Sequence, residues 1–208
     1  FKGTLKLPTF TEKESISVDG SFSDWDNVAA LYGDYKGDIF HRDHYGWGRI
    51  GTYTNETGRN DIVLSKVAND GEKLYFYAEC DKDITPSSDK LWMQLFIAVS
   101  GDKETSWEGF DFAVNRTAPG KDSAVLEKCG GGWKWSKAAD VNYKVANNKI
   151  EIAIPLKDLG IKDAKSFSVD FKWVDNAAAG GDIQTCMRDG DSAPDGRFRY
   201  RYKFKVEE

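Results

Sequence analysis

The stretch LWMQLFIAVSGDKETSWEGFDFAVNR, residues 91–116, predicts two buried strands joined by a polar loop. Its first run, residues 91–99, is apolar at nearly every position, which predicts a central strand covered on both faces. Its second run alternates in polarity, so Asp111 and Asn115 are expected on an accessible face. The opposite, core-facing side is expected to hold Phe110, Phe112 and Val114.

Alternation with a period of two recurs along the rest of the chain. The segment VNYKVANNKIEIAIP, residues 141–155, predicts a hairpin that turns at Asn147 and Asn148. A second hairpin is predicted over residues 62–80, and helical periodicity is nearly absent. The pattern favours an all-β fold, an antiparallel two-sheet β-sandwich of the jelly-roll or immunoglobulin-like type with at most one or two short helical turns. A closed barrel is the alternative.

Length and charge bound the class of protein. A length of 208 residues favours one β-sandwich domain over residues 15–208, preceded by a tail or edge segment over residues 1–14. The chain begins at Phe1 rather than Met, which indicates a piece of something longer. A net charge of −5 argues against nucleic acid as the partner. No run nears the roughly 18 apolar residues of a membrane span, so no membrane insertion is predicted.

Three cysteines, Cys80, Cys129 and Cys186, form no CxxC pair and match no zinc module. We interpret them as small buried apolar side chains, with one disulfide and a free thiol as the alternative. Motifs of serine hydrolases, nucleotide-binding proteins and zinc peptidases are also missing, so the sequence predicts no catalytic site and no organic cofactor.

The first candidate for a binding surface is the loop region over residues 34–60, which is long, lacks a period and is rich in glycine and charge. It concentrates His41, His44, Tyr45, Trp47 and Tyr53. A sugar presents an apolar face of C–H groups and a rim of hydroxyls, so its binder needs aromatic rings beside hydrogen-bonding side chains. The aromatic candidates, in or beside loops, are Tyr45, Trp47, Trp107, Trp133 and Trp135. The polar candidates are Arg42, Asn115 and Arg116.

Two of these candidates, Trp133 and Trp135, share one face of an extended segment, where they form either a stacking platform or a cap on the core. The phrase DGDSAPDG, residues 189–196, has the composition of a calcium loop without the spacing of an EF-hand. Its candidate metal ligands are Asp189, Asp191 and Asp195.

The last run, RFRYRYKFKV over residues 197–206, alternates throughout. One face is expected to carry Phe198, Tyr200, Tyr202, Phe204 and Val206, and the other carries five cations. The cations either protect an edge strand against aggregation or form a surface for an acidic polymer such as a uronic-acid glycan.

Several phrases, taken in order, resemble family 9-type carbohydrate-binding modules and related DOMON-like sandwiches. They are VDGSFSDW, LYFYAEC, WMQLFIAV, WEGFDFAVNR, KIEIAIPLKDLG, FKWVDN and GDSAPDGRFRYRY, and they span residues 15–206. The resemblance implies a jelly-roll sandwich, structural calcium and a sugar held between tryptophans.

These observations predict a non-catalytic glycan-binding module of an exported carbohydrate-active protein, located outside the cell, on its surface or in the periplasm. The expected partners are an oligo- or polysaccharide and the neighbouring domains of a larger protein, and the expected cofactor is structural calcium. The alternatives are a structural or interaction module that orients neighbouring domains, and a glycan-cleaving enzyme.

Overall fold

The computed structural model describes residues 7–39, 41–49 and 51–206. Within these ranges the chain is mostly β-structure, with 3-10 turns at Ser23–Trp25 and Ala179–Gly181 and one short helix, α1 (Thr185–Arg188). The strands are β1 (Leu31–Gly33), β2 (Arg42–Tyr45), β3 (Thr52–Asn55), β4 (Ile62–Asn69), β5 (Lys73–Cys80), β6 (Gln94–Ala98), β7 (Phe112–Val114), β8 (Ser123–Cys129), β9 (Trp135–Ala146), β10 (Lys149–Pro155), β11 (Ser166–Asp175), β12 (Asp191–Ala193) and β13 (Tyr200–Lys205). The predicted all-β class is confirmed. None of the helical segments in the described ranges approaches the length of a bilayer-spanning helix.

Strands other than β2 and β3 form one antiparallel sheet in the order β1-β4-β5-β10-β9-β8-β7-β6-β11-β12, with β13 also paired to β11. The sheet curls so that β4, β5, β10 and β9 face β8, β7, β6, β11 and β13 across one apolar core. The rings of Phe76 on β5 and Phe171 on β11 lie 5.5 Å apart across it, and Asn69 Nδ2 on β4 donates to the hydroxyl of Tyr202 on β13 at 2.6 Å. The two layers of the sandwich are therefore the two halves of one sheet.

The predicted central strand is confirmed, but it is shorter than expected. β6 lies between β7 and β11, with Leu95 and Ile97 in the central core and Phe96 in a second apolar cluster on the other face. The first three residues of the run leave the strand because Met93 has a φ of 38°. Its backbone N–H instead donates to the Asp175 carboxylate at 2.9 Å.

The strand that follows β6 differs from its prediction in two respects. The turn before β7, in which two residues have positive φ, carries Phe110 to the outer face of the sheet instead of the central core. Asp111 and Asn115 are buried rather than accessible. Asp111 accepts hydrogen bonds from the chain just beyond β6, and Asn115 donates to the carbonyl of Met93 at 2.9 Å. The polar face of this strand is thus used for internal hydrogen bonds.

Loops and the N-terminal segment cover both outer faces of the sandwich. On the β5–β10 side, Phe22 and Trp25 pack over Tyr75 and Tyr77. On the β6–β11 side, the second apolar cluster covers Phe96. Of the predicted tail or edge segment, the residue at position 10 forms a parallel bridge beside β13, and residues 1–6 lie outside the described ranges.

The three cysteines are free and buried, which confirms their interpretation as apolar side chains. Cys80 lies in the central core, whereas Cys129 and Cys186 lie in the cluster over β6. Burial raises the pKa of the Cys186 thiol to about 11, so this thiol stays protonated at neutral pH.

Glu151, buried on β10, holds the N-terminal segment around Trp25 against the sheet. Its carboxylate accepts hydrogen bonds from Trp25 Nε1 at 2.9 Å and from the backbone N–H of Gly20 at 2.8 Å. Because Glu151→Ala leaves both donors without partners in an apolar layer, we expect the free energy of unfolding to fall by about 3 kcal/mol in a urea titration.

The matched control is Glu72→Ala, which removes an exposed carboxylate next to β5 and should change the free energy of unfolding by less than about 0.5 kcal/mol. If both substitutions change the free energy of unfolding equally, Glu151 does not hold the N-terminal segment in place.

Candidate functional site

A groove of about 1070 Å³ opens between the β2–β3 hairpin, the turn before β7, the segment around α1 and the loop that leads into β13. The loop region predicted as the first binding surface forms one of its walls. The lining combines aromatic rings with charged and amide side chains: Asp38, His41, Arg42, His44, Trp47, Tyr53, Glu108, Phe110, Gln184, Asp195, Arg197, Phe198 and Arg199.

The β2–β3 hairpin presents one face to this groove. Side chains alternate along a strand, so Arg42 and His44 face the groove, and Tyr53 pairs with His44 in register with the two rings 5.3 Å apart. Tyr45 belongs to the opposite face of the hairpin and is 91% exposed. Trp47 follows in the hairpin loop, where it lines the groove while 87% of its surface is exposed.

Arg42 attaches this hairpin to the body of the protein. Its guanidinium donates to the backbone carbonyls of Asp38 at 2.9 Å, Gly190 at 3.0 Å and Met187 at 3.4 Å. Carbonyl groups from two separate segments therefore converge on one side chain, which holds the hairpin against the segment around α1. Arg42 acts on the groove mainly by positioning its wall.

Arg199 and Phe110 form another part of the wall. The guanidinium carbon of Arg199 lies 4.1 Å from the centroid of the Phe110 ring, and its N–H groups donate to the carbonyls of Glu108 and Gly109. Burial lowers the pKa of Arg199, but an arginine side chain remains charged at neutral pH. The turn before β7 is thereby fixed to the start of β13 by a cation–π contact and two hydrogen bonds.

Phe198 lines the same groove and is 69% exposed. The alternating sequence pattern places this ring on one strand face with Tyr200 and Tyr202, but the strand does not extend to it. β13 begins only at Tyr200, after a turn in which the N–H of Phe198 donates to the carbonyl of Asp195 at 3.3 Å. The turn interrupts the strand alternation and leaves the ring in solvent.

Three carboxylates meet at the groove: Asp34, Asp38 and Asp195 have oxygen atoms within 4.8 Å of one another. Burial is the main reason that the pKa of Asp34 rises to about 7 and that of Asp38 to about 6, and repulsion from neighbouring carboxylates adds to both shifts. Both carboxylate oxygens of Asp38 and Oδ2 of Asp34 have no hydrogen-bond partner within the described part of the chain. Crowding of this kind favours either protonation or a bound cation.

Lys172, wholly buried on β11, anchors the loop that carries Asp195. Its Nζ donates to the carbonyl of Pro194 and to that of Phe198, the latter at 3.4 Å. Burial lowers the pKa of Lys172 to about 8, and nearby acidic groups, Asp195 and Asp34 among them, oppose that shift. The acidic cluster therefore lies close to a buried cation that also positions one of its members.

A second aromatic group lies outside the groove, in the cluster over β6. Trp107 is only 4% exposed, and its Nε1 donates to a backbone carbonyl at 2.9 Å. The Arg116 guanidinium lies 4.5 Å from the ring centroid of Trp133 and 5.0 Å from that of Trp135, and it pairs with Glu127 at 3.0 Å. Trp133 and Trp135 are half-buried against this layer, so they offer less ring surface than Trp47 does.

The predicted binding residues are thus distributed over several places. Arg42 and Trp47 line the groove, and Tyr45 is on the reverse face of the same hairpin. Trp107, Trp133, Trp135 and Arg116 form the second aromatic group, and Asn115 is buried behind β7. The groove is therefore built from the 34–60 loop region together with residues that the sequence pattern did not select, Phe198 among them.

The predicted metal ligands are also separated. Asp189 forms an ion pair with the adjacent arginine at 2.6 Å, and Asp191 is buried and accepts a backbone hydrogen bond from β4 at 2.7 Å. Asp195 joins the acidic cluster, whose other members, Asp34 and Asp38, were not predicted. The sequence signal for them is the phrase DYKGD, in which a glycine with a φ of 82° turns the loop between the two carboxylates.

No protein-family model matches the chain, and no curated protein matches it. Solved structures similar to it include a family 9 carbohydrate binding module from Caldicellulosiruptor kristjanssonii in complex with glucose, at 14% identity over 95% of both chains with a TM-score of 0.47. They also include a Bacteroides uniformis protein provisionally described as carbohydrate-binding, at 10% identity over 94% of this chain and 97% of that chain with a TM-score of 0.48.

The acidic cluster predicts a pH dependence of stability in metal-free protein. The folded-state pKa values of Asp34 and Asp38 lie above the usual value of about 3.9, so the folded state binds more protons than the unfolded state between about pH 4 and pH 7. Their contribution to stability is full below about pH 4 and is lost as the pH rises through 6 and 7. We expect the Tm measured with chelator present to fall between pH 5 and pH 8 by about 3 °C more in wild type than in Asp34→Asn/Asp38→Asn. Parallel Tm curves for the two proteins would contradict the cluster's role.

Proposed function

We propose that this chain is a non-catalytic glycan-binding module and that the groove beside the β2–β3 hairpin is its binding site. The observation that supports this most directly is Trp47, a large aromatic side chain that is 87% exposed at a groove that also carries charged and amide groups. A ligand that covers the Trp47 ring removes apolar surface from water, and the C–H face of a sugar ring can cover it in this way.

The rest of the lining supplies what the hydroxyl rim of a sugar requires. Arg197 offers guanidinium donors, Gln184 offers both a donor and an acceptor, and the exposed Asp195 offers carboxylate acceptors. The exposed ring of Phe198 provides a second apolar surface in the same groove. Aromatic and polar groups therefore converge in one place, as glycan recognition demands.

The walls of the groove are also held in place by internal bonds. Hydrogen bonds to backbone carbonyls hold these walls: Arg42 links the hairpin to the segment around α1, Arg199 binds the turn before β7, and Lys172 binds the loop before β13. A site that is ordered before its ligand arrives loses less conformational entropy on binding. Trp133 and Trp135, half-buried under Arg116, are proposed as a secondary contact only.

Polysaccharides occur mainly outside cells, so the proposal includes an exported or cell-surface parent protein with neighbouring domains that act on the glycan. A binding module that holds its ligand without cleaving it needs no acid and nucleophile placed across a glycosidic bond. Purified protein should therefore release no new reducing ends from any glycan that it binds.

The test of this function is Trp47→Ala, with binding to a panel of oligo- and polysaccharides measured by calorimetry. Loss of a stacking ring should weaken the tightest binder by about tenfold or more. The matched control is Tyr35→Ala, which removes another exposed ring (80%) that does not line the groove and should change affinity less than twofold. Absence of binding to every glycan in the panel, or equal affinities of both variants and wild type, would refute the proposal.

We further propose that calcium is the structural cofactor and that Asp34, Asp38 and Asp195 are its protein ligands. Calcium takes six to eight oxygen ligands, and carboxylate oxygens without hydrogen-bond partners are suitable donors. Burial, with a smaller contribution from neighbouring carboxylates, raises the pKa of Asp34 and Asp38, and a divalent cation would stabilise their charged forms against both effects.

Calcium should therefore raise the Tm of chelator-treated protein at neutral pH by several degrees, and Asp38→Asn should abolish the increase. Asp189→Asn is the control, because Asp189 pairs with Arg188 and should leave the calcium response intact. A Tm that calcium does not change, or a response lost equally in Asp189→Asn, would refute this site.

A further inference from the structure

The outward face of β13 carries a row of cations. Arg201, Lys203 and Lys205 are exposed, whereas the alternate residues Tyr202 and Phe204 are buried in the central core. We call the three exposed side chains the cationic strip. Successive members lie about 6.6 Å apart along the strand, because every second residue of a strand faces the same way.

Protection of a free strand edge does not account for this strip. β13 is hydrogen-bonded to β11 on one side. On its other side Phe10 donates to the carbonyl of Lys203 at 2.8 Å and accepts from the N–H of Lys205 at 3.0 Å. The Phe10 ring also stacks on Tyr202 with the centroids 5.4 Å apart. An edge covered in this way presents few free backbone groups that charge would have to protect.

The strip is also poorly neutralised. Lys203 and Lys205 pair in register with Ser168 and Ser166 of β11, which carry no charge. Within the ranges that the structure describes, no carboxylate forms an ion pair with either lysine. Arg201 does pair with a carboxylate, that of Asp170, at 2.6 Å. In a chain with a net charge of −5, two neighbouring lysines without an ion pair to any described carboxylate make this strand face locally positive.

The strip starts where the groove ends. Arg197 and Arg199 line the groove, and the same strand direction then continues through Arg201 to Lys205. From residue 199 to residue 205 the chain covers about 20 Å, long enough for several sugar residues. The exposed Phe198 lies in sequence between the two groove arginines.

We propose that the ligand of the groove is an acidic polysaccharide, whose chain leaves the groove beside Arg197 and Arg199 and places its carboxylates or sulfates along the cationic strip. This inference rests on the proposed glycan-binding function. The groove recognises a sugar ring through Trp47, and the strip selects for a charged polymer by bringing cations of fixed spacing next to its anions.

The experiment compares polygalacturonate with its neutral methyl ester, and dextran sulfate with dextran, for binding to wild type and to Lys203→Gln/Lys205→Gln. Wild type should bind at least one acidic polymer more tightly than its neutral counterpart, and more weakly as salt is added. The double substitution should weaken binding to that acidic polymer by about tenfold and make it less dependent on salt, with affinity for the neutral polymer changed less than twofold.

The matched control is Lys103→Gln/Lys121→Gln, which removes the same charge from exposed lysines on the loops before β7 and β8. It should leave every affinity within about twofold of wild type. Equal losses in the two double variants would show that net charge alone matters, and this would overturn the proposal. Single-stranded DNA bound as tightly as the acidic polymer would overturn it too, since the site would then not be selective for glycans.

Failure of this inference differs from failure of the proposed function. If neutral glycans bind through Trp47 and neither acidic polymer binds better, the strip is not part of the site and the glycan-binding function stands. If no polymer binds and Trp47→Ala has no effect, the function itself is refuted.

Discussion

The structure depends on the need to cover both faces of the half-sheet around β6. Every residue of β6 is buried, with alternate side chains in the central core and in the cluster outside it. Strands of this kind are stable only when a layer lies on each side. The opposite half-sheet covers one face, and loops, which bring Trp107, Phe110 and the segment around α1 together, cover the other. The groove lies at the margin of that covering layer, so it is a consequence of how the sheet is shielded from water.

Loops that cover a sheet have few partners for their own backbone groups, and buried carbonyl groups need donors. Three cations serve this purpose around the groove: Arg42, Lys172 and Arg199 each donate to backbone carbonyls of irregular segments. Each thereby fixes a wall of the groove and places positive charge near it. The acidic cluster lies close to one of these cations, and its repulsion is only partly offset by Lys172. The same three cations therefore determine both the shape of the groove and the positive charge around it.

Period-two alternation was sufficient to predict the sandwich because it reports directly which side of a strand meets water. It also predicted the hairpin that turns at Asn147, where φ is 52°. Alternation failed where a turn entered a strand pattern. Positive φ at Glu108 moved Phe110 to the other face, and the turn before Tyr200 left Phe198 in solvent. A turn changes the direction of side chains without changing the order of apolar and polar residues, so the pattern cannot detect it.

The sequence by itself determined the all-β class, the central position of β6 and the loop region that forms one wall of the groove, because these follow from local alternation and from a long segment without a period. Only the tertiary structure decided which aromatic rings are exposed. Trp47 and Trp107 both occur in loops, yet the first is in solvent and the second is buried with its Nε1 hydrogen-bonded. The tertiary structure also decided that Asp195 meets Asp34 and Asp38 across about 160 residues. Such contacts depend on how the halves of the sheet curl together, and no local pattern of residues encodes that distance.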